Sequence, residues 1–182
     1  KRGKLSFTGH KGLGILIRNS DSRIVAIQIR KDTIQEGDSR YIWFSSSFAT
    51  YNPDEYNGGN GCGSPKDVCY PQMLKKHTLC ITEGRFKSEK LTESGNISIS
   101  VQGVTSWHGI EETIKHMNGI HNVFIFFDAD ILGKHVLFMQ SEKMIRKIQD
   151  EFPGLYIRYA FWSKKNGKGI DDCIIAGNIS KV

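Results

Sequence analysis

Apolar residues fall along this chain in two rhythms. Between residues 13 and 48, short apolar runs alternate with turn signals: Leu13 to Ile17, Ile24 to Ile29 and Tyr41 to Phe44. The polar stretch Asn19-Ser20-Asp21-Ser22 separates the first two. Runs of this length around a short polar turn predict a β-meander. Residues 52–66 then hold four glycines and two prolines, which supports little regular structure and marks a linker. From about residue 77 the rhythm changes. Leu79 to Thr82 reads as a strand, Phe86 to about Glu93 as a helix, Ile97 to Val101 as a strand and Gly109 to Met117 as a helix. Asn122 to Phe127 is a continuous apolar run, the mark of a strand buried on both faces. The longest helix is expected from about Gly133 to Glu151, with Leu137, Ser141, Met144, Ile145, Ile148 and Phe152 on one face and Pro153 as its stop. A strand from Leu155 to Phe161 and a short helix from Asp171 to Ala176 follow. Strands alternating with helices predict an α/β domain with a mainly parallel four-stranded sheet flanked by helices. The expected division is a small basic β-rich subdomain with its linker over 1–72, and a catalytic domain over 73–182.

Three acidic signals sit where these strands end or helices begin. They are Glu83 in Ile81-Thr82-Glu83-Gly84, the pair in Phe127-Asp128-Ala129-Asp130, and Asp171-Asp172 after Lys168-Gly169-Ile170. Open α/β sheets place their chemistry at such strand ends. The spacing of two puts the Asp128 and Asp130 carboxylates on one side of an extended chain, where they repel unless a cation bridges them. Mg²⁺ (or Mn²⁺) suits that role, since it takes hard oxygen ligands and leaves room for substrate phosphates. With two such ions, one activates an attacking hydroxyl and the other stabilises the leaving oxygen. Glu83 is then a ligand or a general base. Alone, Glu83, Asp171 and Asp172 also read as carboxylates favoured at helix N-termini. Arg85, Lys87 and Lys168 each read either as phosphate contacts or as solvated cations.

Charge strengthens the phosphate reading. The formal charge of +6 and pI of about 9.1 favour a polyanionic partner, with nucleic acid the leading candidate and a plain basic protein the alternative. An apolar fraction of 38%, with ten Phe and three Trp, is enough for a core. No apolar run approaches the ~18 residues of a membrane span, so no membrane partner is expected. The four cysteines, at 62, 69, 80 and 173, show no CxxC pair. A zinc set from Cys62, Cys69, His77 and Cys80 fits no common finger spacing, and reduced thiols in a cytoplasmic protein are the simpler reading. The chain opens Lys1-Arg2 without Met and is expected to belong to something longer.

With these residues in view, the chain resembles the Toprim domain of bacterial-type primases and of plasmid and phage replication proteins. Thr82-Glu83-Gly84 and Phe126-Phe127-Asp128-Ala129-Asp130-Ile131-Leu132-Gly133 resemble that family's glutamate and Asp-x-Asp segments, and Gly103-Val104-Thr105 its Leu-Gly-Thr stretch. Lys168 to Asp172 stands in for its Asp-Pro-Asp motif; the two aspartates are adjacent here, which leaves open which one would bind metal. Arg18, Arg23, Arg30 and Arg40 resemble the basic residues of the subdomain preceding Toprim in primase cores. The resemblance implies a metal-dependent nucleotidyltransferase that makes short primers on single-stranded DNA from nucleoside triphosphates. Glu83, Asp128 and Asp130 would be catalytic, and those three with Asp171 or Asp172 would hold the metal. The four arginines, with Arg85, Lys87 and Lys168, would hold template or nucleotide. A replicative helicase or fused helicase domain would be the partner. The alternatives are a Toprim-type metal-dependent nuclease and an inactive nucleic-acid-binding module.

Overall fold

The computed structural model describes residues 10–45, 61–75 and 77–182; most of the expected linker therefore lies outside the described residues. Two compact units divide the chain: Lys1–Ile17 with Ile24–Gly63, and Arg18–Arg23 with Ser64–Val182.

The first unit is a three-stranded sheet of β1 (Gly12–Arg18), β2 (Ile24–Lys31) and β3 (Tyr41–Trp43), in that spatial order. β2 and β3 run antiparallel, with Arg30 opposite Tyr41 and Gln28 opposite Trp43. Period-two alternation buries Ile15, Ile17 and Ala26, and Trp43 and Cys62 pack against them. Trp43 is thus a core residue, whereas Tyr41 is exposed. The predicted polar turn between the first two strands forms, and belongs to the second unit. Its Asn19 Oδ1 accepts from the backbone N–H groups of Asp21 and Arg23, the local bonding that favours Asn at turns.

The second unit carries the predicted α/β alternation. Its elements are β4 (Asp67–Cys69), β5 (Thr78–Glu83), α1 (Arg85–Thr92), β6 (Ile97–Val101), α2 (Ile110–Lys115), β7 (Asn122–Phe126), α3 (His135–Glu151), β8 (Tyr156–Tyr159) and α4 (Ile170–Ile175). The sheet order is β4-β6-β5-β7-β8. The four predicted strands are all parallel to their neighbours. The sheet nevertheless has five strands rather than four, because β4 adds antiparallel to the β6 edge. Asp67-Val68-Cys69 escapes a sequence reading: it is three residues long, starts with a charge and follows a Gly- and Pro-containing stretch.

Alternation sorts the residues of this sheet into two unlike faces. Leu79, Ile81, Ile99, Val101, Val123, Ile125 and Phe127 point to one side and form the main core with α2 and α3, including Ile110, Ile114, Met144 and Ile148. The other face carries smaller and more polar residues such as Cys80, Thr82, Ser98 and Ser100, all buried. There α1 buries Ser88 and Leu91, and α4 buries Ile170 and Cys173. Cys80, Leu91, Trp162, Ile170 and Cys173 make a second, smaller core. Among the described residues no helix is long and apolar enough to cross a membrane.

Candidate functional site

The order of the sheet creates one special place. From β5 the chain passes through α1 to β6 on one side, then returns past β5 through α2 to β7 on the other. Right-handed crossovers in opposite directions put their helices on opposite faces. The loops that leave β5 and β7 therefore part company, and ligands bind at such a switch point. Glu83 is the last residue of β5. Thr82 lies opposite Phe126 of β7, and Asp128 follows two residues later. Gly84, at φ 84°, turns the chain into α1, a backbone state that favours glycine. Asp130 lies at the start of the 3₁₀ turn Ile131–Gly133, which leads into α3.

Lysines surround these carboxylates. Lys87, one turn into α1, pairs with Asp128 Oδ1. Lys168 Nζ lies 3.8 Å from Asp128 Oδ2. Asp130 Oδ2 is 3.0 Å from Lys134 Nζ and 3.9 Å from Lys164 Nζ. The bond from Lys134 holds the Asp130 carboxyl below the usual aspartate range. Burial pushes the Glu83 carboxyl above the usual glutamate range, opposed by Lys87, Lys134 and Lys168 and aided by Asp128. Glu83 and Asp128 thus share one electrostatic environment.

The loop before α4 reaches the same place, since Ala129 N–H donates to the Lys168 carbonyl at 2.9 Å. Here the adjacent aspartates divide. Asp172 Oδ2 accepts from the backbone N–H groups of Lys168 and Gly169 at 3.2 and 3.1 Å, the bonding of a helix start. Asp171 Oδ1 is buried and has no hydrogen-bond partner among the described residues, and the same is true of Asp130 Oδ1. A methyl group on Gly169 would overlap Asp171 Oδ1 and come within 2.7 Å of Lys87 Cε. Lys87 and Asp171 therefore meet over the bare backbone of Gly169.

Among the described residues no three His, Cys, Asp or Glu side chains gather closely enough to make a metal shell by themselves. The donor set is still one of hard oxygens, with buried oxygens of Asp130 and Asp171 left open, and Mg²⁺ is commonly held by one or two carboxylates plus substrate phosphates. The residues fit an ion of that kind. Burial pushes the Cys69 thiol up to about 11, and among the described residues no Cys and His side chains gather into a zinc set.

The other predicted residues have varied placements. Arg85 donates to both oxygens of the fully buried Asp67, at 2.9 and 3.2 Å, and to Glu89 at 2.8 Å. Asp67 also accepts from Arg18 N–H at 2.8 Å. Arg85 thus joins α1 to the edge strand β4. Arg23, Arg30 and Arg40 are exposed and Arg18 is half-buried. Sequence reasoning did not single out Lys134 or Lys164. The spacing of four between Asp130 and Lys134 was the available signal; Lys164 reaches the site only through the fold.

Solved structures with the same fold include DNA primase domains. The Aquifex aeolicus primase, comprising zinc-binding and RNA polymerase domains, aligns over 91% of this chain with a TM-score of 0.60 and 14% identity. A DNA primase domain from Pseudomonas aeruginosa aligns over 90% with a TM-score of 0.55 and 16% identity. A DnaG primase catalytic domain bound to single-stranded DNA aligns over 89% with a TM-score of 0.54 and 16% identity. At these identities the likeness is one of fold. The chain spans 37% of the first of these chains and 46% of the other two. No curated protein matches it. Residues 70–180 match the family described as "Domain of unknown function (DUF3854)". That segment holds the whole carboxylate and lysine cluster and well over half of the sequence, so the chain belongs to the DUF3854 family.

Proposed function

We propose that this chain is the core of a metal-dependent nucleotidyltransferase of DNA primase type, with a Toprim-like catalytic unit, acting in plasmid or phage replication. One observation carries the reading: Glu83, Asp128 and Asp130 stand at the C-terminal ends of β5 and β7, at the switch point, ringed by lysines. Single-stranded DNA is the proposed template and nucleoside triphosphates the substrates, with a replicative helicase or fused helicase domain as partner. The fold shared with primase domains supports this, and one of those domains binds single-stranded DNA.

Asp128 and Asp130 are the proposed ligands of Mg²⁺ or Mn²⁺, with water and phosphate oxygens completing the shell and Asp171 acting through water. When bound, the ion supplies neutralisation of phosphate charge and a more acidic attacking hydroxyl. The chain's own groups do the rest. Glu83, partly desolvated and raised above the usual glutamate range by burial, is suited to take the proton from that hydroxyl. Lys134, Lys164 and Lys168 are long, largely exposed side chains that can exchange carboxylate for phosphate oxygens as a triphosphate enters. Catalysis is then mainly positioning and charge stabilisation, as phosphoryl transfer allows. Arg23, Arg30 and Arg40 are the proposed contacts to the template backbone, with Arg18 beside them in sequence.

The test is incubation with single-stranded DNA, labelled nucleotides and Mn²⁺ or Mg²⁺. New labelled oligomers are expected from the wild type, falling about 10²–10⁴-fold in Asp128→Asn, Asp130→Asn and Glu83→Gln. Shortened template without new oligomer would replace primer synthesis by a nuclease. DNA binding with neither product would leave a binding module.

A further inference from the structure

One lysine of the cluster differs from the rest. The side chains of Lys134, Lys164 and Lys168 are 47%, 65% and 66% exposed, whereas that of Lys87 is 19% exposed. The first three can swing into solvent or onto phosphate. Lys87 is anchored on α1, paired with Asp128 Oδ1 and packed over Gly169 beside Asp171. Its charge therefore lies against Asp128 and within electrostatic reach of Glu83. A divalent ion placed in that same space would meet an ammonium group held only a few ångströms away, a repulsion that low local dielectric makes large. Asp128 Oδ2 and Asp130 Oδ2, by contrast, are paired with the more exposed lysines, and Asp130 Oδ1 has no partner among the described residues.

We propose that Lys87 is a built-in cation that replaces one of the two divalent ions, so that the site takes a single Mg²⁺ or Mn²⁺ on the Asp128 Oδ2 and Asp130 side. The inference rests on the metal-dependent reading above and deepens it. Lys87 is a positioning residue: it pairs with Asp128 and packs over Gly169 beside Asp171. The glycine at 169 is part of the device, because a side chain there would displace both Lys87 and Asp171.

Mn²⁺ titration of the purified chain, followed by the electron paramagnetic resonance of free Mn²⁺, counts the sites without reference to activity. One Mn²⁺ per chain is expected for the wild type and for Lys87→Arg, which keeps the charge. Lys87→Gln and Lys87→Met are expected to gain a second Mn²⁺, or to bind the first about tenfold more tightly. Thermal melting identifies any variant that fails to fold. Two Mn²⁺ on the wild type would overturn the inference whatever the variants do. Unchanged number and affinity in folded Lys87→Gln and Lys87→Met would overturn it equally, while leaving the metal reading intact. Absence of Mn²⁺ binding, or binding untouched in an Asp128→Asn, Asp130→Asn double variant, would remove the metal reading and this inference together.

Discussion

At the scale of single residues, the site sets stability against function. Burial holds the Glu83 carboxyl above its ordinary value, with Lys87 from α1, Lys134 from the start of α3, Lys168 from the loop before α4 and Asp128 after β7 around it. A raised carboxyl binds its proton more tightly folded than unfolded. Folding stability therefore falls as pH rises from the ordinary glutamate range through the raised folded value, and stays lower above it. Glu83→Gln should melt close to wild type below that window and above wild type at neutral pH, while losing oligomer synthesis; thermal melts at both pH values check the sign. Asp130 behaves oppositely. Its carboxyl is held low by Lys134, so that contact is lost only when pH falls below the usual aspartate range. Arg85 carries a different prediction. Arg85→Ala leaves the buried Asp67 without its guanidinium partner and with only the Arg18 N–H bond named above, at a cost of up to about 3–5 kcal/mol, against less than about 1 kcal/mol for Glu89→Ala at the exposed end, both measurable by denaturant unfolding. The Asp-x-Asp pair was legible in the sequence because both members stand on one short stretch of chain. The partners of Arg85 and Asp130 were less so: Asp67 comes from a strand with no apolar pattern, and Lys164 from a loop the fold folds back.

Element boundaries followed the hydrophobic rhythm wherever a strand or helix packs against the larger core. The expected strands ending at Thr82, Val101 and Phe127 and the helix ending at Glu151 match β5, β6, β7 and α3 to within a residue or two at those ends. β8 was expected to run to Phe161 and stops at Tyr159, because pairing with β7 ends there even though aromatic residues continue. Helix α1 has a weak apolar stripe for a physical reason: it lies on the face of small residues and buries a serine. The loop before α4 depends on Gly167, whose φ is 135° and whose hypothetical Cβ would lie 2.7 Å from the Cys173 nitrogen. Gly167→Ala should cost about 1–3 kcal/mol from backbone strain alone and weaken Mn²⁺ binding by shifting the start of α4 at Asp172 and Cys173. Gly133→Ala, with open space around it, should leave both unchanged.

At the scale of the whole molecule, the proposed function together with the excess of six positive charges predicts DNA binding that weakens steeply with salt. For single strands each phosphate contact contributes about 0.7 to the slope of log affinity against log salt. Arg30→Ala and Arg40→Ala should each lower that slope by about this amount, and Glu89→Ala should not; fluorescence anisotropy at several salt concentrations separates them. The change from short paired strands to strand–helix alternation was readable from the apolar runs and turn signals. The position of strand β4 was not, and it carries a practical consequence. β6 is an interior strand only because β4 covers it. A protein cut between residues 72 and 73 would present the backbone of β6 as a bare edge, flat and apolar on one face, while leaving Arg85 without Asp67. Bare edges of this kind pair with copies of themselves. A chain beginning at residue 73 should therefore aggregate in light scattering, far more than one beginning at Ser64, and loss of solubility would mark where this domain truly starts.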